Sequence, residues 1–203
     1  MVTQSSSEPI RRLGVFGGTF DPIHCAHLAM ARAAKEFARL DQVLFVVSAH
    51  PPHKKDGTSA TPEQRYEMVR IALAQEPHME PCRLELDRPG PSYTVDTLAK
   101  IREQYPAAEL FLILGMDSLV DLEKWRKPEE ILRFARILAI PRLGYVPPEK
   151  VLDHSYDIVP FPETSLSSTE VRRRIACGED VSAVIPPGVV NYIKQNAIYK
   201  NHD

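Results

Sequence analysis

Apolar runs of about strand length alternate along the chain with segments whose apolar positions recur every three or four residues. Arg12 to Phe16 reads as a short buried strand. Ala26 to Leu40 follows with Leu28, Ala31, Ala34 and Ala38 at helical spacing. The run QVLFVV, Gln42 to Val47, is continuous, apolar and β-branched, the pattern of a strand covered on both faces. Ser48 to Ala60 is a polar, proline-rich loop. Thr61 then makes a good helix cap, with Pro62 in the first helical position and Gln64 three residues after the cap, and that helix should run to about Gln75. Cys82 to Leu86 alternates weakly and reads as a strand. Thr94 to Gln104 is helical, LFLIL (Leu110 to Leu114) is another central strand ending at Gly115, and helical pieces extend to about Phe134. Strands at Arg136 to Ile140 and Asp157 to Val159, and helices at Ser168 to Ala176 and Pro187 to Asn196, complete the pattern.

Strand and helix thus take turns, which predicts an α/β fold: a Rossmann-like, doubly wound parallel sheet with helices on both faces. Folds of this kind bind ligands beyond the carboxyl ends of their strands. Gly17-Gly18, the segment after Val47, and Gly115 to Asp117 all fall there. Residues 1–10 read as a flexible tail, since Met1 to Pro9 is polar and serine-rich, and 11–200 as one domain. The long segment from Arg142 to Tyr156 reads as a loop.

Composition narrows the class of function. The 203 residues are 43% hydrophobic and 26% charged with a net charge of -2, so no overall basic field favours nucleic acid. Any anion site must be local. The three cysteines, Cys25, Cys82 and Cys177, form no paired metal-binding or disulfide pattern and suit a reducing, cytoplasmic setting. No apolar run approaches the roughly 20 residues of a membrane span.

Candidate chemistry gathers in three places. In GGTFDPIHCAH an apolar run ends on Gly17 and Gly18, and His24 and His27 follow at the start of a helix. Three-residue spacing puts both imidazoles on one side of the first turn. Glycines allow close backbone approach, and a helix start favours negative charge. The two histidines could donate to phosphate oxygens, or bind a metal together with His50 and His53; only the phosphate reading uses the glycines. The turn is neither a Walker loop nor a dinucleotide fingerprint. In LSSTEVR, Ser167 or Ser168 can cap a helix whose hydroxyls and Arg172 would form a second anion cradle, or simply an ordinary capped helix with a basic face.

Together, GGTFDPIHCAH, PPHK, SYTVDTL, GMDSL with a downstream tryptophan, and LSSTEVR resemble the bacterial nicotinate-nucleotide adenylyltransferases, members of the nucleotidyltransferase superfamily with an HxGH signature. The resemblance runs from about Leu13 to Tyr199. It implies transfer of AMP from ATP to nicotinate mononucleotide, with Mg²⁺ arriving with the ATP. It implies phosphate contacts at Gly17, Gly18, Thr19 and Phe20, catalytic roles for His24, His27 and Arg172, and His53 and Lys54 on a loop near the phosphates. By the same resemblance Gly115 and Asp117 hold adenosine or ribose, and Ser167, Ser168 and Thr169 receive the outgoing pyrophosphate. Tyr93 and Thr94 would recognise the nicotinate carboxylate and Trp125 would stack on the pyridine. Two departures stand out: Ala26 occupies the glycine position of the signature, and Ala49 stands where many relatives carry Asn. A sister adenylyltransferase for nicotinamide mononucleotide or another small phosphate, and a non-catalytic nucleotide-binding module, would share these motifs. The roles of Arg133, Arg136 and Arg142, and any homo-oligomer, stay open at this stage.

Overall fold

In the computed structural model, which describes residues 9–50 and 58–200, the apolar runs become six parallel strands. They are β1 (Arg12–Gly18), β2 (Gln42–Val47), β3 (Met79–Cys82), β4 (Glu109–Gly115), β5 (Ala135–Ile140) and β6 (Asp157–Ile158). Their order across the sheet is β3-β2-β1-β4-β5-β6. The helices are α1 (Cys25–Phe37), α2 (Pro62–Leu73), α3 (Thr94–Gln104), α4 (Met116–Val120), α5 (Pro128–Phe134), α6 (Ser168–Ala176) and α7 (Pro187–Gln195).

Alternation along each strand divides the core into two. Phe16, Phe45, Phe111, Ile113 and Leu138 face one layer with α1, α2, α6 and α7; Val15, Leu44, Leu112, Leu114 and Ile137 face the other with α3, α4 and α5. Both faces are therefore apolar, as a parallel sheet requires. The chain leaves β1 on one face to reach β2 and returns to β4, on the other side of β1, so the strand order reverses between β1 and β4. Ligands in such sheets sit at that reversal. Gly18 at the end of β1 and Gly115 at the end of β4 flank it.

Two expectations need correcting. The strand expected at 82–86 lies earlier, at Met79–Cys82, and Leu84 to Asp87 turn instead. Pairing with β2 sets the register, Val43 with Met79 and Val46 with Cys82, which local alternation could not reveal. Gly17 and Gly18 are also not the turn: both belong to β1, and the left-handed residue after them is Phe20, with φ 49°. Gly18 serves close approach. A Cβ on Gly18 would lie 2.7 Å from the Phe20 ring, whereas one on Gly17 would meet nothing within 4 Å.

Candidate active site

Phe20 can hold its unusual backbone because its ring is buried against Phe16, Phe45 and His27. The chain then passes Asp21 and Pro22 and enters α1 with His24 at the N-cap and His27 three residues on. The rings stack, 3.7 Å between centroids and 20° between planes. The His24 backbone N–H donates to His27 Nδ1 at 3.2 Å. An accepting Nδ1 carries no proton, so the proton of neutral His27 sits on Nε2. Among the described residues His24 Nδ1 is buried without a hydrogen-bond partner.

Both imidazoles are held neutral. Burial, and after it the Arg142 charge, lowers the His24 pKa from 6.5 to about 4. Burial, His24 and Arg142 together depress His27 well below its ordinary value. The α1 amides contribute less than a bare helix start would. Cys25 N–H already donates to the Val184 carbonyl at 2.8 Å, and that of His24 to its neighbour's ring. An anion at this turn therefore meets imidazole donors more than helix amides.

Arg65 supports the turn from below. It is 0% exposed and donates to the carbonyls of Thr19 (2.8 Å), Ser48 (2.6 Å), Ala49 (3.2 Å) and Ala60 (3.3 Å). One buried guanidinium thus ties the end of β1 to the segment after β2 and to the start of α2. Asp21, 1% exposed, accepts from the amides of Ser59 and Ala60 and from the Tyr199 hydroxyl. Sequence reasoning missed both residues. The signal for Arg65 was present: it occupies the apolar stripe of α2 with Met68, Val69 and Ala72, where a charge needs a reason.

The residues expected at the mononucleotide end come together. A cavity of about 510 Å³ is lined by Gly17, Gly18 and Thr19 on one side and Tyr93, Thr94 and Trp125 on the other. Tyr93 precedes α3 without a side-chain cap, so no capping side chain covers the first amides of that helix. The Arg126 guanidinium lies over the Tyr93 ring at 4.6 Å and fixes it beside Trp125. Ser92 holds the loop after β2 in place, accepting the amides of Ala49 and His50 at 3.1 and 3.2 Å. Ala49 thus contributes its backbone, donating to Ser92 and accepting from Arg65, while its methyl is buried. Ala26 is half-buried against the core at the start of α1.

The residues expected at the phosphate end come from distant segments. Gly115 caps α4 and Asp117 pairs with Arg142 at 3.0 Å, so Arg142 faces this end of the sheet. Ser167 caps α6 through the Glu170 amide, and the Ser168 hydroxyl donates to the Pro22 carbonyl at 3.0 Å. The Ser168 hydroxyl therefore docks α6 beside the histidine turn, while that of Ser167 serves the helix's own first turn. Arg172 reaches from α6 to the Asp21 carbonyl at 2.7 Å and touches Thr169 Oγ1 at 3.4 Å. Arg136 belongs elsewhere: it pairs with Glu109 and Asp157 and lies over Phe111, with Glu109 at the start of β4. Arg133 lies in the last turn of α5. His53 and Lys54 lie outside the described residues.

Comparisons with known proteins agree with this layout. The cytidylyltransferase-like family model matches residues 15–174. A protein of Thermus thermophilus named probable nicotinate-nucleotide adenylyltransferase is 47% identical over 191 residues, covering 93% of this chain and 100% of the relative. One of the same name from Gloeobacter violaceus is 42% identical over 197 residues, covering 93% and 96%. In three dimensions the chain superimposes on Plasmodium falciparum nicotinic acid mononucleotide adenylyltransferase complexed with NaAD, at a TM-score of 0.79 with 20% identity, covering 93% and 97%. The last comparison shows the fold; the two before it, with the family model, show that the chain belongs to the cytidylyltransferase-like family, among its nicotinate-nucleotide adenylyltransferases.

Proposed function

We propose that the protein transfers AMP from ATP to nicotinate mononucleotide, releasing nicotinate adenine dinucleotide and pyrophosphate. The observation that carries the reading is the 510 Å³ cavity, which joins the glycine end of β1 to Tyr93, Thr94 and Trp125 at the strand-order reversal. Relatives of the same name, 42–47% identical over nearly the whole chain, support the same reaction.

The site needs no strong general base. The second pKa of a phosphate monoester is about 6, so the attacking oxygen is already ionised near neutral pH. It attacks the α-phosphorus in line with the departing pyrophosphate. The protein aligns two anions that repel each other and places donors where charge grows. His24 and His27 are neutral, so each gives a hydrogen bond without becoming a proton donor in the step. Gly17, Gly18, Thr19 and Phe20 bring backbone to the phosphates. Gly115 and Asp117 take the adenosine side, and Ser167, Ser168, Thr169 and Arg172 take the pyrophosphate; His53 and Lys54 would join them. Amides at the start of α3 favour the carboxylate of nicotinate, and Trp125 offers a face for the pyridine.

Among the described residues no group of three His, Cys, Asp or Glu side chains could hold a metal ion. Asp117 is engaged by Arg142 and Asp21 is buried under amides. These residues fit a Mg²⁺ that enters with its own phosphate and water ligands, where it would neutralise triphosphate charge. No described helix is long and apolar enough to cross a membrane, and we place the reaction in the cytoplasm.

The test is pyrophosphate release from ATP and Mg²⁺ with the acid or the amide mononucleotide. The expected result is a higher kcat/KM for the acid. Equal use of both would remove the assignment of Tyr93 and Thr94, and no release with either would remove the enzyme.

A further inference from the structure

Arg172 would receive the outgoing pyrophosphate, and a guanidinium can do so only while its charge is not already spent on a protein carboxylate. Among the described residues its nearest one is buried Asp21, yet the two do not close into a tight pair. Arg172 Nη1 stands 3.8 Å from Asp21 Oδ2 and donates instead to the Asp21 main-chain carbonyl at 2.7 Å. What keeps the carboxylate from turning to the guanidinium is its other partners. Oδ2 accepts the Ser59 amide at 2.9 Å; Oδ1 accepts the Ala60 amide at 3.1 Å and the Tyr199 hydroxyl at 2.7 Å.

Tyr199 comes from the far end of the chain, 178 residues from Asp21. Its backbone is left-handed, with φ 64°, and it follows the buried Ile198, so the ring is aimed inward by the turn after α7. Burial, with the charge and hydrogen bond of Asp21, pushes the phenol pKa upward, so the hydroxyl stays protonated and donates. Arg172 and Tyr199 also line one cavity of about 590 Å³ with Ser59, Gln64 and Thr169, which leaves Arg172 reachable by an anion.

We propose that Tyr199 is a positioning residue for the transfer reaction: its hydroxyl holds the Asp21 carboxylate away from Arg172 and so keeps that guanidinium free for the departing pyrophosphate. The proposal rests on the role given to Arg172 above. Without the hydroxyl, Oδ1 keeps a single amide, and a buried carboxylate short of partners turns to the nearest cation.

Tyr199→Phe removes one oxygen and keeps the ring, so the fold should survive. In the forward reaction kcat should fall about tenfold, the worth of a hydrogen bond to a charged group, while KM for nicotinate mononucleotide stays within about twofold. In the reverse reaction KM for pyrophosphate should rise about tenfold. Placed on Arg172→Ala, the same change should cost little more, because it acts through that guanidinium. Unchanged kcat and pyrophosphate KM in Tyr199→Phe, whatever its melting temperature, would overturn the proposal, as would full additivity with Arg172→Ala. A wild-type protein that releases no pyrophosphate would instead sink the proposed function.

Discussion

The stacked histidines make a quantitative demand on acid stability. His24 is 2% exposed and its pKa falls from 6.5 to about 4 on folding, chiefly through burial and then through Arg142. A base whose folded pKa is depressed is protonated more readily in the unfolded chain. Its contribution is therefore complete above pH 6.5 and is lost as pH falls from 6.5 toward about 4. With those two values the loss from His24 alone is about 2 kcal/mol at pH 5. Total stabilities are about 5–15 kcal/mol, so the effect is measurable. His27, depressed for the same reason, adds in the same direction. The comparison is urea unfolding at pH 7.5 and pH 5 for the wild type and His24→Asn. Asn suits an N-cap and does not titrate in this range. Carboxylates titrate in both proteins and largely cancel. The wild type should lose about 2 kcal/mol more than the variant between the two pH values. Parallel losses would show that His24 is hydrated and ordinary, and would undo the claim that the imidazoles work as neutral donors.

Three further outcomes follow from the same geometry. His27→Ala should lower kcat by about 10²–10³ while the fold is kept, the usual cost of a lost transition-state donor; near-normal turnover would remove His27 from the mechanism. Gly17→Ala should keep its fold and raise KM for the mononucleotide, because the new methyl enters open cavity space, whereas Gly18→Ala meets the Phe20 ring at 2.7 Å and should lose about 1–3 kcal/mol in urea. Trp125 is the chain's one tryptophan, so its fluorescence should change on adding mononucleotide; Trp125→Ala should raise that KM roughly tenfold, as loss of a stacking face does, and an unchanged signal at saturation would count against the contact.

The fold was legible where burial imposes a simple pattern. QVLFVV and LFLIL could only be central strands, and the cap at Thr61 marks α2 one residue before it begins. The edge strand β3 was misplaced because MEPC carries no alternation of its own and takes its register from β2. At the site, the motifs marked the side chains near a ligand but not those that hold them. Asp21, Arg65, Ser92 and Tyr199 act mostly through partners 16 to 178 residues away, Ala60 for Arg65 being the one local exception, and no local spacing encodes such pairs. Arg142 remained ambiguous for the same reason, until its pairing with Asp117 and its effect on both histidines placed it.

A protein with a net charge of -2 must still gather two polyanionic substrates, and the placement of charge shows how. Arg65 is completely buried, so it is not a phosphate ligand; its charge is used internally, drawing four carbonyl oxygens to one point. Each carbonyl drawn down turns the amide of its own peptide the opposite way. For Ser48 and Ala49 those amides, on Ala49 and His50, meet Ser92; for Thr19 the amide is that of Phe20, in the turn between the cavity and the histidines. A buried cation therefore orients a backbone donor without standing in the site itself. Neutral imidazoles beside it add donors that no anion has to be charged to attract. On the proposed assignment Arg172 then places a guanidinium where pyrophosphate leaves, held off the Asp21 carboxylate at 3.8 Å, so a chain of slight negative charge can bind two anions and still release one.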